Sequence, residues 1–462
     1  MKNSYKKAGF NESVFRDYDI RGIYPSQINE DFFYLLGRAV AEYLNVDEIA
    51  VGHDTRLSSP TLFKALTEGI RERGVNVVNL GLISTEINYF ASGHYGFPAN
   101  IIVSASHNPP EYNGLKIVKK GVVPLHGSLG LPEIKKIALK NIFPVKKKRG
   151  EIRKKLVLSD WIKHLLSLID LSSIKPLKIV IDAGNGMAGP TWEQLKEKLP
   201  VKIIPLYFDP DGRFPNHLPD PLNKNNLKDL QKKIRETSAD LGFALDGDAD
   251  RLFVVDNNGK PMSGTITCAM LAKHLLNKKG PSPVLYSVTC GRIVPETINK
   301  YRGQPVKTRV GHSFIKAEMK KWNAVFAGEH SGHFYFRDNY YADSSSVAGL
   351  FFLEYLSAQK KSLSVLRTDF ETHYSSDEIN FSVDDGKKIF HNLINAFPGS
   401  KVDKTDGVTV AFPQWWFNAR ASKTEPLIRV NVEADSLKLL DEKLDVITKT
   451  IESSGGSKKK AD

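Results

Sequence analysis

Three times along this chain a short apolar run ends in small or polar residues and leads into a proline: residues 49–52 before Pro60, 177–181 before Pro190, and 284–288 before Pro295. Proline suits the first turn of a helix, where its missing N–H is not needed and its φ is already set. Each run therefore reads as a strand and each proline as a helix start. Further apolar runs at 75–80 and 100–103 complete the βαβ rhythm of an α/β layer fold. The cadence restarts at 177 and again at 284, which predicts repeated α/β units that share layout more than identity. After about residue 366 the rhythm changes. A strand at 427–432 and helices over 384–396 and 437–453 predict a smaller α+β segment of a different kind.

A chain of 462 residues is too long for one core, because cores stop growing near ~250 to 300 residues. The basic stretch 145–155 and the turn DNNGK at 256–260 mark breaks in composition. Domains are expected at 1–155, 156–257, 258–367 and 368–462.

With 65 Lys and Arg against 52 Asp and Glu the net charge is +13, on a background of 41% hydrophobic and 25% charged residues that excludes a disordered or fibrous chain. Much of the surplus is peripheral: Lys146, Lys147, Lys148, Arg149, Arg153, Lys154 and Lys155 read as a solvated linker, and Lys458, Lys459 and Lys460 as a frayed tail. No aromatics interleave with these lysines, so no nucleic-acid partner is expected. Cys268 and Cys290 make neither a disulfide framework nor a metal spacing, which predicts a reducing, cytoplasmic setting. Residues 1–15 lack an apolar signal core, and the greasiest stretch, 347–356, is interrupted by Gly349 and Glu354, so no membrane span is expected.

Four loops carry groups suited to chemistry. SASHNPP (104–110) follows the strand 100–103, and a serine among small residues at a strand end is displayed for phosphoryl exchange, or is simply a Ser/Asn/Pro turn. DGDADR (246–251) places Asp246, Asp248 and Asp250 between two strands, where three carboxylates call for a divalent cation. An EF-hand needs Gly and Glu where Arg251 and Asn257 stand, and a phosphatase-type nucleophile needs Thr or Val at Asp250. The carboxylates are therefore read as ligands, and Mg²⁺ sharing a phosphate oxygen is favoured over Ca²⁺. GEHSGH (328–333) offers Glu329 and Ser331 to vicinal hydroxyls, or is a decorated hairpin. RASKTEP (420–426), with Arg429 in the next strand, has the make-up of a phosphate clamp or of a charged surface turn.

Taken in order, these loops resemble those of the α-D-phosphohexomutase superfamily. The resemblance runs from YDIRG (18–22) to RVNVEA (429–434). SASHNPPEYNGLKIV, PDGRFPNHLPDP, ALDGDADR, VGHSFIK, GEHSGH and RASKTEPLIRVNVEA look most like the bacterial phosphomannomutase/phosphoglucomutase group. It implies an α/β, four-domain architecture: three similar α/β domains and a smaller α+β C-terminal domain around a central cleft. It implies that Ser106 carries the phosphoryl group, that Asp246, Asp248 and Asp250 hold Mg²⁺ with the phosphoserine as fourth partner, and that Glu329 and Ser331 read the sugar. Arg420, Ser422 and Thr424, with Arg429 nearby, hold the non-reacting phosphate. Arg21, Lys116, Arg251, His312 and His333 match further active-site positions, with Arg251 supporting the transferring phosphate and Lys116, His312 and His333 candidates for proton transfer.

The implied activity is reversible interconversion of hexose 1- and 6-phosphates through a hexose 1,6-bisphosphate, which also serves as activator. The partner is then a small phosphosugar and the protein a monomer or weak dimer, and a basic cleft suits a dianionic substrate. Phosphoglucosamine mutase and a non-catalytic sugar-phosphate binder are the alternatives; NPPEYNG and RASKTEP weigh against the first, intact Ser106 and Asp ligands against the second. There are two departures. Thr289 stands where relatives often have lysine, leaving one contact absent or supplied by Arg292, and 339–346 replaces a more acidic segment.

Overall fold

The first strand–loop–helix repeat opens a seven-stranded sheet in the computed structural model, which describes residues 11–383, 386–422 and 426–459. The chain forms two compact units. One comprises residues up to Met262 together with Ser331–Ser364; the other comprises Ser263–His330 and residues from Val365 onward.

In the first unit the strand order is Ile20–Ile23, Tyr112–Lys119, Ala99–Val103, Glu48–His53, Asn76–Leu82 and Ile152–Lys154, with Val123–Pro124 added on Tyr112–Lys119. Glu48–His53 lies parallel to both Asn76–Leu82 and Ala99–Val103, while Tyr112–Lys119 returns antiparallel. Every residue of Ala99–Val103 is buried, as a strand covered on both faces requires, and its continuous apolar sequence follows from that. The strand Ile152–Lys154 corrects the linker reading: this part of the basic stretch pairs with Asn76–Leu82, and Arg153 binds Glu48 at 2.8 Å. Exposed basic residues on an edge strand discourage further pairing.

Helices Glu30–Leu44 and Ser59–Glu72 cover this sheet, with Phe33, Leu36, Leu62 and Leu66 in a shared core with Val51 and Ile101. They approach closely at two reciprocal glycines. A Cβ at Gly37 would lie 2.1 Å from Leu66 O, and one at Gly69 2.1 Å from Tyr34 O. Gly37→Ala should therefore push the helices apart and cost about 1–3 kcal/mol, the range for an overfilled core. Urea unfolding measures this, and an unchanged midpoint would mean the helices separate freely.

A second sheet in this unit has the order Leu252–Asp256, Leu241–Leu245, Lys178–Asp182, Lys202–Leu206. Its first pair is antiparallel, so the acidic loop 246–251 is the tight connection between adjacent strands. The greasy stretch flagged in the sequence is the helix Ser345–Ser357, whose every residue is buried.

The second unit contains three parallel strands, Gln304–Thr308, Pro283–Ser287 and Phe326–Gly328, with helices Gly264–Lys279, Ile293–Lys300 and His312–Trp322. Its C-terminal part is an antiparallel sheet built on Val408–Ala411, Trp415–Ala421, Leu427–Ala434 and Ile379–Ser382. Helices Gly386–Asn395 and Leu437–Ser453 complete its core around Phe381, Leu393, Phe417, Val430 and Ile447. Lys458 is not frayed: Ser457–Lys458 pairs with Ile379–Ser382. Among the described residues no helix is long and apolar enough to cross a membrane.

Candidate active site

The hairpin between Ala99–Val103 and Tyr112–Lys119 carries Ser106, whose φ of 52° places it in the left-handed region. A non-glycine residue held there marks a backbone fixed by its surroundings. Four carbonyls do much of the fixing. The Arg56 guanidinium, fully buried, donates to Ser106 O at 2.8 Å, Asn108 O and Pro109 O at 2.5 Å each, and Tyr112 O at 2.9 Å. Asp54 in turn anchors Arg56, with Oδ2 3.3 Å from its Nε. The displayed serine expected from the sequence is instead only 3% exposed. The acidic loop covers it: a Cβ at Gly247 would lie 2.5 Å from Ser106 O, so only glycine allows this approach. Ser106 Oγ donates to Asp246 Oδ2 at 3.1 Å and lies 3.3 Å from His107 Nδ1.

Both oxygens of Asp246 are bonded, while Asp248 and Asp250 each have one oxygen tied down. Asp246 Oδ1 accepts from the N–H groups of Asp250 (3.0 Å) and Arg251 (3.1 Å). Asp248 Oδ2 accepts from the Thr85 hydroxyl (2.5 Å) and Lys116 (2.6 Å), and Asp250 Oδ2 from Lys116 (2.8 Å). Oδ1 of Asp248 and of Asp250 are buried without a hydrogen-bond partner among the described residues. Oxygens of all three carboxylates lie within 4.8 Å of one another. Burial, then Asp250 and Asp248, push the Asp246 carboxyl well above the carboxylate range. Burial also opposes ionisation of Asp248, but the Lys116 ammonium outweighs it and holds that carboxyl far below its usual range. Buried oxygens that converge without partners and charges that repel make a donor set fitted to a hard divalent cation.

A second grouping of Asp250, His333 and Asp343 is also close enough for a metal. His333 Nε2, however, accepts from Arg251 Nε at 3.0 Å, so Nδ1 carries the proton and donates to Asp343 Oδ2 at 3.1 Å. A protonated nitrogen cannot ligate. Arg251 also donates through Nη2 to His107 Nδ1 at 3.0 Å. Burial, then Arg251 and Arg21, lower the His107 pKa well below the ordinary value. Arg21 donates to Asn108 Oδ1, within the serine loop, and to Asp19 Oδ2, at 2.5 Å each. Burial alone would lower the Lys116 pKa, but Asp248 and Asp250 more than reverse it.

The GEHSGH loop is divided: Ser331 and His333 belong to the first unit, Glu329 to the second. Glu329 is buried and accepts from Gly311 N–H at 3.3 Å, directly before His312 opens its helix. Arg420 and Arg429 face each other across adjacent strands, and both bind Glu378, at 2.8 and 3.2 Å. Like charges directly opposed repel, and the Glu378 carboxylate between the two guanidinium groups relieves that repulsion. Ser422 N–H donates to Leu427 O at 2.7 Å, beside this pair, and Thr424 lies outside the described residues.

Models of known protein families match the chain in succession. Phosphoglucomutase/phosphomannomutase α/β/α domain I matches residues 12–143, domain II 159–259, domain III 263–374, and the C-terminal domain 378–449. The chain belongs to the phosphoglucomutase/phosphomannomutase family. A phosphomannomutase of Escherichia coli is 36% identical over 433 residues, 91% of this chain and 95% of that protein. One from Methanocaldococcus jannaschii is 37% identical over 444 residues, 95% and 97% of the two chains. A crystal structure of a family protein from Burkholderia thailandensis aligns with a TM-score of 0.89 at 31% identity, covering 97% of this chain and all of the other. Membership makes the chain an enzyme, a phosphohexomutase of the isomerase class.

In this phosphohexomutase Arg292, near Thr289 in sequence, is engaged within its own unit. Its guanidinium is bound by Glu433 at 2.9 Å, Asp435 at 2.6 Å and Pro413 O at 2.8 Å. No motif in the sequence marks Arg56. Arg56 had one local signal, a charged residue in the loop directly after a parallel strand, but its contacts depend on burial against a hairpin fifty residues away.

Proposed function

We propose that this phosphohexomutase interconverts mannose 1- and 6-phosphate and the corresponding glucose phosphates, with Ser106 as the phosphoryl carrier. The observation that carries the reading is Ser106 Oγ bonded to Asp246 within a carboxylate cluster fitted to a cation, with Arg251 alongside. Asp246, Asp248, Asp250 and the Ser106 oxygen would hold Mg²⁺, which when bound supplies charge neutralisation to the phosphoryl group.

The free hydroxyl of a hexose phosphate attacks phosphorus on phosphoserine 106. The new O–P bond forms as the Ser106 Oγ–P bond breaks, giving a hexose 1,6-bisphosphate. After this intermediate turns end for end, Ser106 Oγ attacks the other phosphoryl group and regains it. Added bisphosphate activates by restoring phosphoserine. Arg251 spreads charge from the transferring group, since phosphoryl transfer depends on positioning and electrostatics more than on covalent assistance. Arg21 orients the substrate near the serine loop. Lys116, His312 and His333 are the proton carriers. Glu329 and Ser331 grip sugar hydroxyls; Arg420, Ser422, Thr424 and Arg429 hold the phosphate that is not reacting. We assign the domains as 1–155, 156–257, 258–367 and 368–462. We also assign a cytoplasmic setting, in keeping with two free, buried cysteines, and a monomer or weak dimer.

A coupled assay with mannose, glucose and glucosamine 1-phosphates tests the reading. Specificity constants for the first two should lie within about 1–2 kcal/mol, because contacts at other hydroxyls and at phosphate bind both epimers nearly alike. Glucosamine 1-phosphate should be clearly worse, since its ammonium would meet Arg21, Lys116 and Arg251. A preference for it would make the chain a phosphoglucosamine mutase. Arg420→Ala should lower the specificity constants for 1- and 6-phosphates equally, by roughly 1.5–3 kcal/mol for a lost charge-assisted contact. A loss confined to one isomer would require two separate phosphate sites.

A further inference from the structure

Two helices present their N-termini to the acidic loop. Thr85, the first residue of the helix Thr85–Tyr95, donates its backbone N–H to Asp248 O at 3.0 Å and its hydroxyl to Asp248 Oδ2 at 2.5 Å. Ser345, the first residue of the helix Ser345–Ser357, donates its N–H to Ala249 O at 3.3 Å and its hydroxyl to the same oxygen at 2.8 Å. Asp248 and Ala249 are thus gripped from two helix ends, and Ala249, with a φ of 64°, is where the loop backbone turns. Helix N-termini carry partial positive charge, so both ends favour the negative loop they hold.

A buried carboxylate joins the two helix ends. Glu86, second in its helix, accepts from the Ser344 hydroxyl at 2.6 Å, the Ser346 N–H at 3.1 Å and the Ser346 hydroxyl at 2.7 Å. Glu86, Ser344 and Ser346 are fully buried. Such a carboxylate is tolerable only when its oxygens are satisfied, which fixes its own rotamer and those of its donors. Of three consecutive serines, Ser344 and Ser346 bind Glu86 while Ser345 between them binds the acidic loop.

We propose that Glu86 is a positioning residue for the metal site: by clamping Ser344 and Ser346 it locks two helix ends together. Thr85 and Ser345 then hold the Asp248–Ala249 segment with Asp248 Oδ1 free for the ion. This rests on the reading of Asp246, Asp248 and Asp250 as metal ligands. Groups that orient metal ligands typically change affinity 10- to 100-fold when lost.

The test is Mn²⁺ binding to the full-length, substrate-free protein, read by loss of the free-ion EPR signal. Glu86→Ala should weaken binding about tenfold or more. Glu86→Gln should stay within about threefold of wild type, because the amide oxygen can accept from Ser344 and the Ser346 N–H while its NH₂ donates to the Ser346 hydroxyl. In turnover, Glu86→Ala should lower kcat and leave KM for the sugar phosphate unchanged. If Glu86→Ala does not fold, Ser345→Ala carries the test and should weaken Mn²⁺ by about threefold or more. Wild-type affinity in a folded Glu86→Ala, or in Ser345→Ala where that replaces it, overturns the inference. Asp248→Asn separates the two readings. If it loses Mn²⁺ while the Glu86 and Ser345 variants keep it, only the positioning role fails; if it binds like wild type, the metal reading fails and takes this inference with it.

Discussion

Ser106→Ala should reduce mutase turnover at least ~10³-fold and should lack the phosphate adduct expected in the intact mass of the purified wild-type protein. The effect is chemical rather than structural. Alanine can occupy the same left-handed backbone that Arg56 holds through four carbonyls, and the hydroxyl contributes only its bonds to Asp246 and His107. Circular dichroism and thermal melting should therefore change little while activity disappears. Added hexose 1,6-bisphosphate should not restore the variant, because the acceptor oxygen itself is gone. Wild-type turnover by Ser106→Ala without added bisphosphate would remove Ser106 from the mechanism.

Chelation should take turnover to background, and Mg²⁺ should restore it. Ionised carboxylates about 4 Å apart repel by about 4 kcal/mol per pair at an effective dielectric near 20. Lys116 compensates for Asp248 and Asp250 but leaves each with a buried oxygen that accepts no hydrogen bond among the described residues. A second anion, the phosphoserine, would raise this cost further. Mg²⁺ should accordingly also raise the melting temperature, as any ligand selective for the folded state does. Ca²⁺ should protect against melting yet support poor turnover, since its looser coordination does not hold the phosphoryl oxygen in line. Full activity in thoroughly chelated buffer would show that Lys116 and Arg251 alone neutralise the transferring group.

What the sequence by itself determined is whatever is written in contiguous residues. Three apolar runs with a proline after each announce strands at Glu48–His53, Lys178–Asp182 and Pro283–Ser287. The acidic loop is legible because its carboxylates sit two residues apart on one hairpin turn, where local geometry must bring them together. Arg420 and Arg429 fall opposite each other for the same reason, on neighbouring strands of one hairpin.

Tertiary structure decided the groups whose meaning lies in a distant partner. Arg56 becomes the support of the serine loop only when the hairpin fifty residues later closes over it. Arg292 looks in sequence like a spare phosphate ligand, yet Glu433 and Asp435 occupy its guanidinium. Glu86 meets Ser344 across a separation of 258 residues. None of these pairings leaves a periodicity or spacing to read, because burial and long-range packing choose among many chemically equivalent polar side chains. The same packing turned an apparently displayed Ser106 into a buried one, once Gly247 let the acidic loop settle against it.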